Sequence, residues 1–172
     1  MIRARITGTG SYVPEKVMTN FDFEKFMDTS DEWIRTRTGI RERHIAADDE
    51  NTSDLATKAA ERALEMAGVK PEELDGIILG TITGDYPWPA TACIVQANLG
   101  AVNASAHDVS AACSGFLFAL SSATDRIQAG NAKKMLVIGA EVLTRIIDWE
   151  DRNTCILFGD GAGAVVLEAQ EG

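Results

Sequence analysis

Two short apolar runs constrain this chain more than any other feature: residues 76–81 (GIILGT) and 134–140 (KMLVIGA). Neither alternates polar with apolar residues, so neither suits a sheet with one wet face. An uninterrupted apolar run of strand length is expected where both faces of a sheet are covered, as when crossover helices join parallel strands. Helical patterns surround them. Residues 53–67 place Leu55, Ala59, Ala63, Met66 and Ala67 at helical spacing, and Gly68 follows as a natural left-handed stop. Segments 90–99 and 113–129 also end at glycines, Gly100 and Gly130. Further strands are read at 2–9, 40–45, 106–109 and 163–169.

The order is roughly βαβαβαββ. It predicts an α/β layered fold around a mixed, mostly parallel five-stranded sheet. The last two strands have no clear helix between them, which leaves the final one free to run antiparallel. Gly8 and Gly10 read as the lead into a turn before Pro14. Asn20 is a candidate cap for a short helix to residue 27. Thr29 and Glu32 have capping-box spacing, so a second short helix is expected to carry Trp33 and Ile34 as far as Gly39. Residues 144–154 look irregular and charged. Residues 159–164 (GDGAGA) lack the Lys-Ser/Thr of a phosphate loop and read as a tight turn into a buried strand.

Sixteen Lys and Arg stand against 26 Asp and Glu, a net charge of −10. This argues against general affinity for nucleic acid, which needs clustered cations. No apolar run reaches the length of a membrane span, and residues 1–10 lack the apolar core of a secretory signal. A cytoplasmic location without membrane contact is expected. The three cysteines, Cys93, Cys113 and Cys155, have no metal-like spacing with His44 or His107, so free thiols and no metal are expected.

Cys113 is the chemically interesting thiol. It stands in DVSAACSGFLFALSSA, where a strand hands over to a helix that is apolar around most of its circumference. Such a helix is usually buried. Unpaired N–H groups and the dipole at a helix N-terminus favour an anionic thiolate, which is the reactive form. Small neighbours leave room for a substrate, and the backbone N–H of Cys113 is a candidate oxyanion donor. The plainer reading is a structural thiol packed as a small hydrophobe. A local Cys113–His107 dyad is a weaker reading, since His107 looks like a packed strand residue.

Four separated blocks carry a resemblance: ITGTGSYVPE, DTSDEWIRTRTGIRERHIA, DVSAACSGF and DRNTCILFGDGAGAVVLEA. In this order they resemble the β-ketoacyl–acyl carrier protein synthases of type III, thiolase-like condensing enzymes that start bacterial fatty acid synthesis. The resemblance implies an acyltransferase in which Cys113 accepts an acyl group, usually acetyl, from coenzyme A. Decarboxylated malonyl-acyl carrier protein then attacks that thioester. Acyl-coenzyme A is a substrate, and no permanently bound cofactor is implied. Trp33 and Arg152 resemble the pair that stacks on the two faces of the adenine. Thr29 lies in the same segment, and Arg37 resembles an arginine near the cofactor phosphates. Leu143 and Phe158 match acyl-pocket positions. Trp88 matches a loop that reaches the neighbouring subunit's pocket in family dimers, where its bulk would favour short primers.

The resemblance also implies that residues 1–172 form a single thiolase-like half-domain. The family's catalytic His and Asn belong to a second half, so this half alone is expected not to complete the condensation. Its apolar central helix would then expose a face, and a homodimer or a missing second half is expected to cover it. A non-catalytic, self-associating scaffold is the alternative from another class. Hydroxymethylglutaryl-CoA synthase and chalcone-synthase-like enzymes are related readings, which DTSDEWI and GDGAGAVVLEA disfavour.

Overall fold

The computed structural model describes residues 1–172. The chain runs β1 (Ile2–Tyr12), β2 (Lys16–Thr19), α1 (Asn20–Phe23), α2 (Asp31–Thr38), β3 (Glu42–Ile45), α3 (Thr52–Ala67), β4 (Gly76–Gly80), α4 (Thr91–Leu99), β5 (Ser105–Val109), α5 (Gly115–Gln128), β6 (Lys134–Val142) and β7 (Asp160–Glu171). The main sheet has the order β1-β7-β6-β4-β5. β4 is parallel to β5 and β6, while β7 is antiparallel to β6 and β1. Four strands therefore point one way and β7 the other. A parallel return to the sheet needs a long crossover. The β6–β7 connection holds only two short 3-10 turns, Leu143–Arg145 and Cys155–Leu157.

Helices cover both sheet faces, which explains the unbroken apolar strands. Ile77 and Leu79 of β4, with Leu136 and Ile138 of β6, pack under α3 and α4. Ile78, Met135 and Val137 point the other way and pack under Ala119, Ala123 and Ile127 of α5. The expected burial of α5 holds for that one face. On the other, Leu117 is 63% exposed and Phe118 57%.

Between β1 and α3 the chain inserts a small unit, β2–α1–α2–β3, in which β2 and β3 form a separate antiparallel pair. Phe23 and Ile34 from this unit meet Cys155 and Ile156 in a second, smaller core. The strand read at 40–45 is β3, but its partner β2 was not expected, because the four residues Lys16–Thr19 are too few for a periodic signal.

Several local expectations are corrected. Gly8 and Gly10 lie inside β1, where a side chain would run into the Ala63 and Ala59 carbonyl oxygens of α3. GDGAGA is not a tight turn: from Asp160 onward it is strand, and its glycines have no positive φ. Met66 is exposed, at the margin of the α3 stripe. His107 is exposed on edge strand β5 rather than packed. Thr19 caps α1, and Ser30 caps α2 by accepting from the Trp33 N–H at 3.1 Å, so neither Asn20 nor Thr29 is the cap. No helix is long and apolar enough to cross a membrane.

Candidate active site

Cys113 sits in a single 3-10 turn, Ala112–Ser114, between β5 and α5. The α-helix proper begins at Gly115, two residues later than the sequence suggests. Ala112 has φ +46°, a left-handed conformation rare for alanine that costs roughly 1–2 kcal/mol. Close packing over-determines it. At Gly80, an added Cβ would stand 2.5 Å from the Gly115 carbonyl carbon. At Gly139 it would stand 3.2 Å from the Phe116 Cβ. The end of β4 and, beside it, β6 at Gly139 thus lack side chains where the first turn of α5 rests on them. That contact presents the thiol at the C-terminal edge of the parallel strands.

The three thiols differ sharply. Cys113 is exposed, Cys93 is half-buried and Cys155 is fully buried. Burial, and then the nearby Asp151 carboxylate, push the Cys155 thiol up, which keeps it protonated and inert. Cys113 opens on a cavity. That cavity has a volume of about 480 Å³ and is mostly apolar, with Phe116, Leu143, Ile146, Ile147 and Phe158 among its walls. Leu143 and Phe158 line the same cavity as the thiol. His107 is not among the lining residues.

The polar edge of the cavity is Glu141. Its carboxylate accepts from the Ile82 N–H at 2.9 Å, the Thr83 N–H at 3.0 Å and the Thr81 hydroxyl at 3.1 Å. It also accepts from the Thr83 hydroxyl. This clasp holds the loop after β4 so that Ile82 forms a wall. Asp108, just before the Cys113 turn, accepts from the Thr91 and Ala92 N–H groups, each at 2.7 Å, and anchors the start of α4. Trp88 lies outside the cavity and is 83% exposed.

A second cluster forms around Trp33. The Arg37 guanidinium carbon lies 4.3 Å from its ring centroid and that of Arg152 4.8 Å. Arg152 also donates to the Asp28 carbonyl at 2.7 Å. Asp151 organises the Arg152 turn by accepting from the Thr154 hydroxyl at 2.7 Å and the Asn153 N–H at 3.0 Å. Thr29 Oγ1 is buried without a hydrogen-bond partner. The four residues picked from sequence therefore fall in one region. Trp33 and Arg152 touch directly, however. A ring stacked between them requires about 7 Å, twice a contact of roughly 3.5 Å, so Arg152 must swing out to admit one. Ile147 links the two clusters: it lines the Cys113 cavity and packs on the Phe23–Ile34 core. No group of three or more His, Cys, Asp or Glu converges as metal ligands do.

Comparison with known proteins gives a consistent answer. The family described as 3-oxoacyl-[acyl-carrier-protein] synthase III matches residues 107–172, the stretch that holds Cys113, Leu143, Arg152 and Phe158. The chain is 63% identical over 170 residues to β-ketoacyl-[acyl-carrier-protein] synthase III of Xanthomonas campestris pv. campestris, covering 99% of this chain and 52% of the relative. It is 62% identical over 166 residues to the protein of the same name from Caldanaerobacter subterraneus subsp. tengcongensis, covering 96% and 50%. The structure of 3-oxoacyl-[acyl-carrier-protein] synthase III from Aquifex aeolicus superposes with a TM-score of 0.96 at 57% identity, covering 98% of this chain and 55% of that one. This chain belongs to the β-ketoacyl-acyl carrier protein synthase III family. It spans about half the length of the curated relatives it matches. A priming β-ketosynthase of the R1128 polyketide pathway also superposes at 0.96, with 42% identity. The thiolase-like layered α/β fold read from sequence is thus shown.

Within this family frame, sequence reasoning missed the residues that build the site without touching a ligand. Phe116 is three residues beyond Cys113 on a helix, a spacing that could have flagged it as a cavity wall. Glu141 follows an apolar strand and carried a weak hint as a carboxylate at a strand end. Arg43 and Asn20, buried in the small unit, gave none.

Proposed function

We propose that Cys113 is the acyl-accepting nucleophile of a β-ketoacyl-acyl carrier protein synthase. Its thiolate attacks the thioester carbonyl of a short acyl-coenzyme A such as acetyl-coenzyme A. The carbon–sulfur bond to coenzyme A breaks, coenzyme A leaves as the thiolate, and an acyl-Cys113 thioester remains. Malonyl-acyl carrier protein then loses carbon dioxide. Its carbanion attacks the acyl carbonyl and releases the Cys113 thiolate with β-ketoacyl carrier protein as product, the first step of fatty acid synthesis. The single observation that carries this reading is an exposed thiol at the foot of α5, opening into an apolar cavity of about 480 Å³. Donors at the first turn of a helix lack intrahelical acceptors, which supports the Cys113 N–H as an oxyanion donor. Trp33 and Arg152 take the adenine by stacking, Thr29 lies beside them, and Arg37 faces the phosphates.

The decarboxylation step belongs to the whole protein. The exposed Leu117 and Phe118 face of α5 supports an assembly that a second half or a second copy completes. Trp88, exposed and outside its own chain's cavity lining, fits a role in a neighbour's pocket. Intact-mass measurement with peptide mapping after incubation with acetyl-coenzyme A tests the first step. The expected result is one acetyl group on Cys113 and none in Cys113→Ala. A folded chain with no adduct favours the scaffold reading.

A further inference from the structure

The two walls of the Trp33 cluster come from distant parts of the chain. Helix α2 carries Trp33 and Arg37, and the turn before Ile156 carries Arg152. Arg43 of β3 ties them together. It is 5% exposed. One guanidinium nitrogen donates to Asn20 Oδ1 at 2.9 Å and to the Met18 carbonyl at 3.2 Å. The other donates to the Ile156 carbonyl at 2.9 Å. The guanidinium carbon lies 4.6 Å from the Phe23 ring centroid. Asn20 extends the link, because its Nδ2 donates to Asp31 Oδ1 at 2.9 Å and to the Ile40 carbonyl at 2.8 Å. Asp31 opens α2. A continuous buried chain thus runs from Ile156 through Arg43 and Asn20 to the start of the Trp33 helix.

Arg43 forms no salt bridge, and its three hydrogen-bond acceptors are neutral. A buried cation without a carboxylate is expensive to keep. Burial accordingly pushes the Arg43 guanidinium down from its ordinary value. A local packing role would be filled better by an apolar side chain. What arginine supplies is a rigid planar fork that spans two chain segments at a set separation, which a lysine ammonium cannot reproduce.

We propose that Arg43 is a positioning residue that sets the separation of the two walls of the nucleotide clamp. It would thereby control how far the protein prefers coenzyme A over the adenine-free pantetheine arm. The inference rests on the coenzyme A reading of the Trp33 cluster. Its test is protection of Cys113 from iodoacetamide by two thiol-free probes, desulfo-coenzyme A and desulfopantetheine, on the wild-type chain, Arg43→Lys, Asn20→Ser and Trp33→Ala.

In Arg43→Lys the half-protecting concentration of desulfo-coenzyme A should rise about tenfold, as expected when a charge-assisted hydrogen bond is lost. That of desulfopantetheine and the unprotected alkylation rate should not change. Asn20→Ser should move the same way by less, and it decides the question if Arg43→Lys fails to fold. Selective loss in Trp33→Ala without loss in the Arg43 and Asn20 variants overturns this inference alone. Equal weakening of both probes, or altered alkylation without a probe, makes Arg43 merely structural and also overturns it. If wild type shows no preference for the coenzyme A probe, or Trp33→Ala keeps it, the clamp reading falls and takes the inference with it.

Discussion

The Cys113 cavity and the Trp33 cluster are neighbours built on opposite plans. The cavity is made by the main sheet: β4 ends in Gly80, Gly139 lies beside it in β6, and a helix starts on top of these two glycines. Backbone contact does the positioning, through Gly80 against Gly115 and Gly139 against Phe116. The Trp33 cluster is made by an insertion and a loop, held by side-chain hydrogen bonds that span up to 124 residues of sequence. Backbone packing suits the nucleophile proposed at Cys113, which must keep one geometry. A hydrogen-bonded cluster with an exposed arginine suits the coenzyme A nucleotide proposed for it, which must enter and leave.

Three substitutions would break or sharpen that contrast. Gly80→Ala should have the largest effect on the fold, because its Cβ meets backbone that cannot move aside. Overpacking of this kind costs about 1–3 kcal/mol. Chemical denaturation should show the loss, and Cys113 alkylation should change with it. A variant of wild-type stability with an unchanged alkylation rate would mean that backbone contact does not set the thiol. Arg152→Ala should leave stability within about 0.5 kcal/mol, because its side chain is 42% exposed and its ion pair with Asp28 is long at 3.9 Å. It should nevertheless weaken desulfo-coenzyme A protection several-fold. A comparable loss of stability in Arg152→Ala would erase the distinction between the two regions. Trp88→Phe should do least: stability within about 0.5 kcal/mol and unchanged Cys113 alkylation in the isolated chain. A primer-length shift confined to assembled copies would place Trp88 in a neighbour's cavity, and a shift in the lone chain would move it into its own.

Much of the first region was legible in the sequence. The apolar runs announced a sheet covered on both faces, and the glycine stops placed the ends of α3, α4 and α5 correctly. Cys113 was visible because a small-residue turn joined a strand to an apolar helix. The second region was legible only through resemblance. Its residue types, a tryptophan and arginines on a polar segment, are ordinary surface residues when read alone. β2, the partner of the strand read at 40–45, escaped because its four residues carry no period, and Met66 misled because helical spacing fixes a stripe but not its width.

Local and nearest-neighbour physics therefore settled which segments became strands and helices, where they stopped, and which thiol stood at a helix start. Those properties depend on periodicity, propensity and backbone freedom over a few residues. Only the tertiary structure decided the rest: that α5 buries one face and leaves Leu117 and Phe118 exposed, that Glu141 clasps the loop after β4, and that Arg43 joins two distant walls. Such contacts form between residues whose separation in the chain says nothing of their separation in space. Their energies come from desolvation and hydrogen-bond geometry that exist only once the layers have packed.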